Sequence, residues 1–546
     1  MLRIVGSLLF LLSSASAGNW EECRSGPFQV WTNGSERDAR QLLVRLEQVR
    51  HVLGHLLGKP DPGALWTLRV IVAKGKQATP WTLGHDAWVS ILPAGAAPPR
   101  AWQKEVARML LESNARRMPA YWEDGLIDFF STLEAQGPKI TLGAPPPPAE
   151  RNLNWARVHF LATNVEYVSR FRVLLNNLQG GADEDVAYRN SLGMSKTALE
   201  ADIAKHFAAG QFSPTTVAGR AMAEKDFTMR PLEASRVAAA IGEAAGNPKL
   251  AAEGSLESAE LQGLDAARRG QKQEARDLLK QAIEAGSRSA RVHLEYGKLL
   301  GDSKARQDAY VEAAKRNPRW AQPYIELAEM ETTPSRHVFY LKTAAALDHR
   351  NSELWQRLAR AYLNAKQFSE ASKAWFSAEL AAPTAEDRAK VAEARRLFED
   401  ERQNREASER KRIADERQQE LDRLKAEAMN AIKAAEARAN QGLAPADPKK
   451  KVEEWWDEKT PSQKVSGQFQ KVDCLGKQAR IWILPAGGKA TALLIRDPGQ
   501  IVVMGGGETA FGCGPQRPVR QVTVEYKPRV DTKLGTSGDV AFVEFR

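Results

Sequence analysis

Apolar and polar positions change their spacing several times along the chain, and each spacing predicts a different structure. Up to about residue 213, short apolar runs at residues 28–31, 68–72 and 87–92 have the length of strands, while residues 36–57 carry the amphipathic pattern of a long helix. Further helices are predicted at residues 102–116, 122–134, 154–178 and 196–208. Residues 18–213 are therefore expected to form an α+β domain.

Between residues 232 and 385 the pattern is almost entirely helical and repeats about every 34 residues. Two units, around Tyr324 and Gly263, share part of the pattern, and a unit around His293 is several residues short. Small residues let the two helices of a hairpin touch, while aromatic side chains fill the groove made by the next hairpin. The clearest unit has such side chains at fixed spacings: Trp355, Leu358, Ala359, Tyr362, Ala371, Trp375, Ala378 and Pro383.

This helical region resembles the tetratricopeptide repeat family. The resemblance implies an α-solenoid whose concave face binds a protein or peptide partner. Tyr324, Trp355, Tyr362 and Trp375 are expected mainly to pack between helices, and only secondarily to contact a ligand in the groove. The sequence does not identify the residues that would bind the partner.

The C-terminal part of the chain predicts three further segments of a multidomain α+β protein. Residues 386–440 contain neither Gly nor Pro and are rich in Glu, Arg, Lys and Ala, which predicts one long charged helix. That helix is expected either to be solvated on all sides or to pair with a second chain as a coiled coil. A polar linker at residues 441–466 leads to a small all-β domain at residues 467–546. Its strands are predicted at residues 478–484, 490–495, 501–504, 519–526 and 540–545.

The first 17 residues have the layout of a cleavable secretory signal. Arg3 precedes an apolar stretch at residues 4–12, and Ala15-Ser16-Ala17 follows it as a cleavage site. The mature chain is expected to begin at Gly18 and to be exported to the periplasm or the extracellular space. No later apolar stretch is longer, so no membrane span is predicted after signal cleavage.

Three cysteines would enter an oxidising compartment with this signal. Cys474 and Cys513 both belong to the predicted β-domain, where a disulfide between them would stabilise a core of about 80 residues. Cys23 is left without a predicted partner.

Composition narrows the range of partners only slightly. The 546 residues are 27% charged and 43% hydrophobic, as in ordinary soluble proteins, and carry a net charge of +10. Basic and acidic side chains are interspersed along the helices, so this charge is only a weak indication of an anionic partner, and no nucleic acid partner is expected. The oligomeric state does not follow from these features.

Candidate chemistry is confined to one pair of predicted helices. Residues 104–108 read Lys-Glu-Val-Ala-Arg, and residues 119–130 read Pro-Ala-Tyr-Trp-Glu-Asp-Gly-Leu-Ile-Asp-Phe-Phe. This part of the chain resembles the peptidase MA family of gluzincin metallopeptidases, in which HExxH on one helix is followed by P-x-W-x-x-E-G-L-A-E-F-F on the next. The resemblance implies a zincin-like α+β fold. It places Lys104 and Arg108 at the two histidine positions, Glu105 at the general-base position and Asp124 at the position of the third ligand.

Zinc hydrolysis needs two neutral imidazoles one helical turn apart, a carboxylate ligand and an open position for water. Lys104 and Arg108 are cations without a lone pair at neutral pH, so the domain is predicted to be degenerate, with no catalytic residues, metal or cofactor. A further hypothesis is that Arg108 pairs with Asp124 and Glu105 and so holds the two helices together. The alternative that these are unrelated surface charges stays open.

Two other patterns are candidates for binding sites. His51 and His55 lie four residues apart on one predicted helix, a spacing that can serve a metal, but no third ligand is evident. The glycine run at residues 505–507 follows a strand and opens no helix, so it predicts a β turn or bulge and not a phosphate-binding loop. Neither pattern indicates a function.

The sequence therefore favours an exported, non-catalytic scaffold that binds a protein or peptide partner through its repeats. One alternative is a zinc metallopeptidase with an atypical site, in which case zinc would be a cofactor. The other is a protein that associates with cell-envelope polysaccharide through its β-domain.

Overall fold

The computed structural model describes residues 19–247, 250–442, 462–505 and 512–545. These residues belong to two compact units, one that ends at Asp422 and one that begins at Arg423. The predicted secretory signal and most of the predicted linker lie outside the described residues.

The first unit begins with a mixed α+β region. Its strands are β1 (Trp20–Ser25), β2 (Phe28–Thr32), β3 (Thr67–Ala73), β4 (Thr82–Leu83), β5 (Ala87–Pro93), β6 (Glu134–Gln136), β7 (Lys139–Leu142), β8 (Thr215–Ala218) and β9 (Arg230–Leu232). Its helices are α1 (Glu36–Leu56), α2 (Arg100–Asn114), α3 (Ala120–Phe130), α4 (Leu153–Thr163), α5 (Val168–Gln179), α6 (Glu184–Leu192), α7 (Lys196–Ala209) and α8 (Ala234–Ala244).

One large sheet organises this region, in the order β4-β5-β3-β2-β1-β9. The central strands β2, β3 and β5 run parallel, and β1 pairs antiparallel with both β2 and β9. Strands β6, β7 and β8 form a separate small sheet. Strand β9 therefore closes the large sheet at residues 230–232, beyond the residue 213 at which the sequence pattern changes.

Both faces of the large sheet are covered because its central strands are apolar on both faces. Leu68 and Val70 of β3 belong to the main core together with Leu43 of α1. Ile71, which points to the opposite face, belongs to a second cluster that includes Val237 of α8. In β1, Cys23 is a free, buried thiol, and burial raises its pKa to about 12.

The helix predicted at residues 154–178 is two helices, because α4 ends at Thr163. Asn164 has an extended backbone, and its side-chain oxygen accepts a 2.9 Å hydrogen bond from the backbone N–H of Glu166. Its carbonyl accepts the N–H groups of Tyr167 and Val168, and α5 begins at Val168. This local turn competes with the helix, as asparagine side chains commonly do.

Helical hairpins make up the rest of the first unit. They are α9 (Leu256–Arg268) with α10 (Lys272–Glu284), α11 (Ala290–Lys298) with α12 (Ser303–Arg316), α13 (Gln322–Met330) with α14 (Pro334–Leu347), and α15 (Ser352–Asn364) with α16 (Phe368–Ala381). Small residues lie where the helices of a pair touch: a Cβ atom at Gly297 would lie 2.7 Å from the ring of Tyr310.

The spacing of these hairpins is less regular than the sequence pattern predicts. They begin at residues 256, 290, 322 and 352, so the spacing is 34, then 32 and then 30 residues. The unit around His293 is thus slightly short, as predicted, but the next unit is shorter still. The cause is that α11 and α13 have 9 residues each, against 13 in α9 and α15.

A single helix, α17 (Ala385–Ala439), follows the hairpins and is 55 residues long. Phe398 is its one buried residue, and the ring of Trp375 in α16 stacks on it at 4.6 Å between centroids. Most of its other large apolar side chains, among them Leu397 and Ile413, are exposed. Among the described helices, none combines the length and the apolar character that a bilayer crossing requires.

The second unit contains a five-stranded β-barrel with one added strand. Its strands are β10 (Gln463–Leu475), β11 (Gln478–Leu484), β12 (Thr491–Ile495), β13 (Val502–Met504), β14 (Gly514–Asp531) and β15 (Thr536–Phe545). Neighbours follow the order β12-β11-β10-β14-β15, and a parallel pairing of Leu494 with Asp539 closes the barrel. Phe469, Ile481 and Val522 contribute to its buried core.

The predicted disulfide between Cys474 and Cys513 is present in this barrel. Cys474 lies inside β10, opposite Ala479 of β11, in a stretch where the sequence pattern predicted no strand. The sequence pattern does not predict β10 because this strand alternates irregularly, with a register shift between Phe469 and Lys471.

Candidate functional site

The two helices of the candidate motif, α2 and α3, pack through their apolar faces. On α2, Val106 and Leu110 are buried in the main core, while Lys104, Glu105 and Arg108 are half-buried on the other side of the helix. The motif side chains are therefore on the outer surface of the pair, which leaves room for solvent at all three positions.

The glycine of the motif has a packing role. A Cβ atom at Gly125 of α3 would lie 2.3 Å from the backbone oxygen of Asn154 in α4 and 2.9 Å from the side chain of Val158. Only glycine allows α3 and α4 to approach so closely. The resemblance at this position thus reflects helix packing as much as chemistry.

Asp128, one turn beyond Asp124, is the acidic residue that links the helices. Its carboxylate forms a close ion pair with Nζ of Lys104 and lies 3.6 Å from a guanidinium nitrogen of Arg100, both on α2. It also accepts a 2.8 Å hydrogen bond from the side-chain amide of Asn152, the residue that caps α4. Asp128 is only 8% exposed, so α2, α3 and the start of α4 meet at one buried carboxylate.

Arg108 does not have the bridging role that the sequence suggested. Its guanidinium pairs with Glu105 of the same helix, with 3.4 Å between Nε and Oε1. Asp124 is exposed, and no ion pair joins it to Arg108 in the described part of the chain. The hypothesis that Arg108 holds α2 to α3 through Asp124 is therefore wrong, because the buried partner of α2 is Asp128.

The side chains at the motif positions do not fit a zinc ion. A zinc ligand must offer a lone pair, whereas the ammonium of Lys104 is held by Asp128 and the guanidinium of Arg108 by Glu105. Glu105 is itself in an ion pair with Arg108. The arrangement is one of ion pairs that fix helices.

A second polar cluster lies at the turn between β4 and β5 and was missed by sequence reasoning. Nδ1 of His85 lies 2.9 Å from Oε2 of Glu243 on α8, and its Nε2 lies 3.2 Å from Oε2 of Glu260 on α9. The backbone N–H of His85 donates to the other oxygen of Glu243 at 2.6 Å. His85 thereby joins the sheet to both helices.

The two carboxylates favour the imidazolium form of His85, because both ring nitrogens face acceptors. Burial by itself would lower the pKa of His85, but the charge of Asp86 and the hydrogen bonds to Glu243 and Glu260 raise it well above its ordinary value. Asp86 is held by a paired hydrogen bond from the guanidinium of Arg69, at 2.9 and 2.8 Å. This guanidinium keeps the pKa of Asp86 low in spite of its burial.

The spacing of this cluster alone would allow a metal, since ligand atoms of His85, Asp86 and Glu243 lie within 4.8 Å of one another. Each of these atoms already has a partner of opposite charge, however. Both oxygens of Asp86 accept from Arg69, and both ring nitrogens of His85 face carboxylates. The cluster therefore fits a network of ion pairs better than a metal site.

The predicted repeat aromatics pack between helices, as expected. Tyr362 and Trp375 are buried, and Tyr324 and Trp355 are half-buried against the same core cluster. The indole N–H of Trp355 donates to the carbonyl of His349 at 3.1 Å. These four side chains stabilise the stack of hairpins.

The hairpins are joined to the α+β region by a buried ion pair. The guanidinium of Arg350, just before α15, donates to both carboxylate oxygens of Glu123 on α3, at 3.1 and 2.9 Å. Arg350 and His349 also donate to the carbonyl of Ala115 after α2, both at 2.9 Å. The end of α2 and the start of α3 are thus fixed against the last hairpins.

No protein-family model and no curated protein sequence matches the chain. Solved structures do match part of it. A tetratricopeptide-repeat protein from Thermus thermophilus, TTC0263, is 18% identical over 30% of this chain and 98% of its own, with a TM-score of 0.23. Two crystal structures of MamA proteins are 20% and 16% identical over 28% and 26% of this chain and 85% and 83% of their own, with TM-scores of 0.23 and 0.22. The evidence for repeats in this chain is its own series of hairpins.

Proposed function

We propose that this chain is an exported, non-catalytic scaffold that binds a protein or peptide partner through its helical hairpins, with the peptidase-like region as a structural module. The observation that carries the proposal is the ion pair of Lys104 with Asp128. A cation occupies the place of the first metal-binding imidazole and is used to hold α2 against α3. A side chain engaged in this way offers nothing to a metal.

The hairpins support the binding part of the proposal. Consecutive helix pairs that contact mainly their neighbours build an extended surface, which suits a peptide or a helix of another protein. The hairpins also expose large apolar side chains: Phe339 on α14 is 61% exposed. An exposed aromatic residue on such a surface is a common contact in protein interfaces.

Catalysis is tested on the purified full-length chain by elemental analysis and by cleavage of casein before and after chelation. We expect no stoichiometric zinc and no cleavage that chelation removes. A zinc ion bound at one per chain, together with chelator-sensitive cleavage that Glu105→Gln abolishes, would overturn the proposal in favour of a metallopeptidase.

Partner binding is tested in cells with a photo-crosslinking residue at position 339 in the full chain. The matched control carries it at Val165, which is 90% exposed in the turn between α4 and α5. We expect a discrete protein adduct from position 339 that the control lacks. Adducts of equal yield at both positions, or none at position 339, would contradict the scaffold role.

Export is tested on the same expressed chain. We expect a mature N-terminus at Gly18 in the periplasmic or extracellular fraction. An uncleaved chain confined to the cytoplasm would contradict that part of the proposal.

A further inference from the structure

A cleft of about 940 Å³ lies where the α+β region meets the hairpins, inside the first unit. We name it the junction cleft. One wall comes from the segments that follow α1 and α2 and from β4, and the other from the loop before α13 and from the segment between α14 and α15. The side chains that matter here are Lys59, Leu65, Leu83, Arg117, Arg319 and Ile325.

Three cations of the junction cleft lack a compensating carboxylate. In the part of the chain that the structure describes, no ion pair involves Lys59, Arg117 or Arg319. Lys59 and Arg117 use their side chains to donate to backbone carbonyls, those of Asn114 and Ala381. The three cations thus line the same cleft without an ion pair of their own.

Two of these cations, Lys59 and Arg319, lie close enough to repel each other. The pKa of Lys59 is lowered first by burial and then by the nearby charges of Arg319 and Arg116. A ligand that brings negative charge to this place would therefore reduce the repulsion between these cations.

The remaining charged groups of the lining reduce this excess to one net positive charge but do not cancel it. Arg350 also lines the cleft, but Glu123 neutralises it. Glu112 and Asp348 are the acidic side chains of the lining, against three unpaired cations. Burial lowers the pKa of His349, which keeps this side chain neutral near pH 7.

Apolar side chains border these cations. Leu65 and Leu83 line the cleft and are 38% and 37% exposed, so each offers it accessible aliphatic surface. The Trp66 ring, by contrast, is buried, with Trp320 at 5.1 Å and Arg291 also at 5.1 Å from its centroid. The Trp66 ring therefore offers no open face, while Trp88 and Trp320, which also line the cleft, are half-buried.

We infer that the junction cleft binds an acidic peptide segment of a partner protein, one that places a large apolar side chain beside its carboxylates. Carboxylates would pair with Lys59, Arg117 and Arg319, and the apolar side chain would cover Leu65 and Leu83. The exposed leucines favour this ligand over an anionic glycan, which has no large apolar side chain to cover them. The inference rests on the proposed scaffold function and names the chemistry of one partner segment.

Fluorescence polarisation on the full-length chain tests this inference. The probe is a fluorescein-labelled decapeptide in which Glu and Leu alternate; two further probes replace Glu by Lys or Leu by Ser. We expect binding of the first probe only, with an affinity that falls as salt is raised. Failure of the Glu–Leu probe to bind, or tighter binding of heparin than of this probe, would overturn the inference.

Variants separate the cleft from general charge effects. Arg319→Glu should weaken binding of the probe at least tenfold, and Leu65→Ser severalfold. Arg268→Glu makes the same charge change at an exposed position of α9 that pairs with Asp265, and should leave the affinity unchanged. Equal losses in Arg319→Glu and Arg268→Glu, with both variants folded by circular dichroism, would also overturn the inference.

The failure of this inference can be told apart from failure of the proposed function. If position 339 crosslinks a partner in cells while the cleft variants bind the probe like the native chain, the scaffold role holds and the cleft assignment fails. If position 339 gives no adduct but Arg319→Glu abolishes probe binding, the assignment of the cleft as a peptide site is supported, and the proposed binding through the hairpin surface is contradicted.

Discussion

At the scale of single residues, Asp128 and Asp124 form a natural matched pair. They lie one helical turn apart on α3, but only Asp128 is buried and bonded to Lys104 and Asn152. We expect Asp128→Asn to lower the free energy of unfolding by about 2 kcal/mol, because it leaves a partly buried ammonium without its counter-ion. Asp124→Asn should change it by less than about 0.5 kcal/mol.

Urea unfolding followed by tryptophan fluorescence measures both variants. Equal effects of the two substitutions would contradict the assignment of Asp128 as the residue that joins α2 to α3.

His85 should make stability depend on pH. Because its pKa is raised in the folded chain, its contribution is fully present below the ordinary value of 6.5 and is lost as the pH rises through the folded value. We expect the stability difference between the native chain and His85→Gln to shrink from pH 6 to pH 9. His55→Gln, at an exposed position on α1, is the control and should show no such trend.

His159 should show the opposite trend. It is buried in α4, where burial and then the neighbouring His206 lower its pKa to about 4, and its Nδ1 lies 3.0 Å from Nε2 of His206. Its neutral form therefore stabilises the fold above pH 6.5, and this contribution is lost as the pH falls toward 4. Between pH 7 and pH 4, the unfolding temperature should fall more steeply for the native chain than for His159→Gln. Parallel curves of unfolding temperature against pH would refute this prediction.

At the scale of elements, the sequence predicts those that have clear caps and regular spacing. Helix α1 begins at Glu36 as predicted, because Ser35 caps it by accepting the N–H of Asp38. The sequence pattern does not predict strands β6 and β8, because they are short and carry few buried side chains. The interruption between α4 and α5 depends on Asn164. The apolar residues on both sides keep the spacing of a helix, so their pattern does not reveal the interruption.

The disulfide of the barrel should contribute measurably to its stability. It closes a loop of 39 residues, for which the reduced freedom of the unfolded chain is worth about 4 kcal/mol. We expect a reductant to lower the temperature of one calorimetric transition of the full-length chain. The shift should persist in Cys23→Ala, which removes only the free thiol, and should disappear in Cys474→Ala. A reductant-dependent shift that remains in Cys474→Ala would contradict a stabilising role of the disulfide.

At the scale of the whole molecule, the Arg350–Glu123 pair should couple the hairpins to the α+β region. Both side chains are largely buried, so removing either partner leaves an unpaired charge and should cost about 3 kcal/mol. We expect the double variant, with both residues changed to Ala, to be clearly more stable than the sum of the two single effects implies. Additive effects in chemical unfolding would show that the two residues do not act together.

The candidate sites show what sequence alone could and could not predict. The identities of Lys104 and Arg108 can be read from the sequence, and the absence of zinc ligands at those two positions follows because neither side chain offers a lone pair at neutral pH. The role of Asp128 depends on how deeply α3 packs, which spacing does not reveal. The contact of His85 with Glu243 joins residues 158 positions apart, so no local pattern could have indicated it.

The position of β9 and α8 decides how this protein can be divided for experiments. A fragment that stops at residue 213 would lack β9, which pairs with the outer edge of β1 (Trp20–Ser25). It would also lack α8 and so leave Ile71 and Val89 uncovered on one face of the sheet. An open edge next to bare apolar surface promotes self-association. Soluble expression of the N-terminal region therefore requires a cut no earlier than Ala244, and precipitation of shorter pieces would be a result of trimming and not of an unstable native chain.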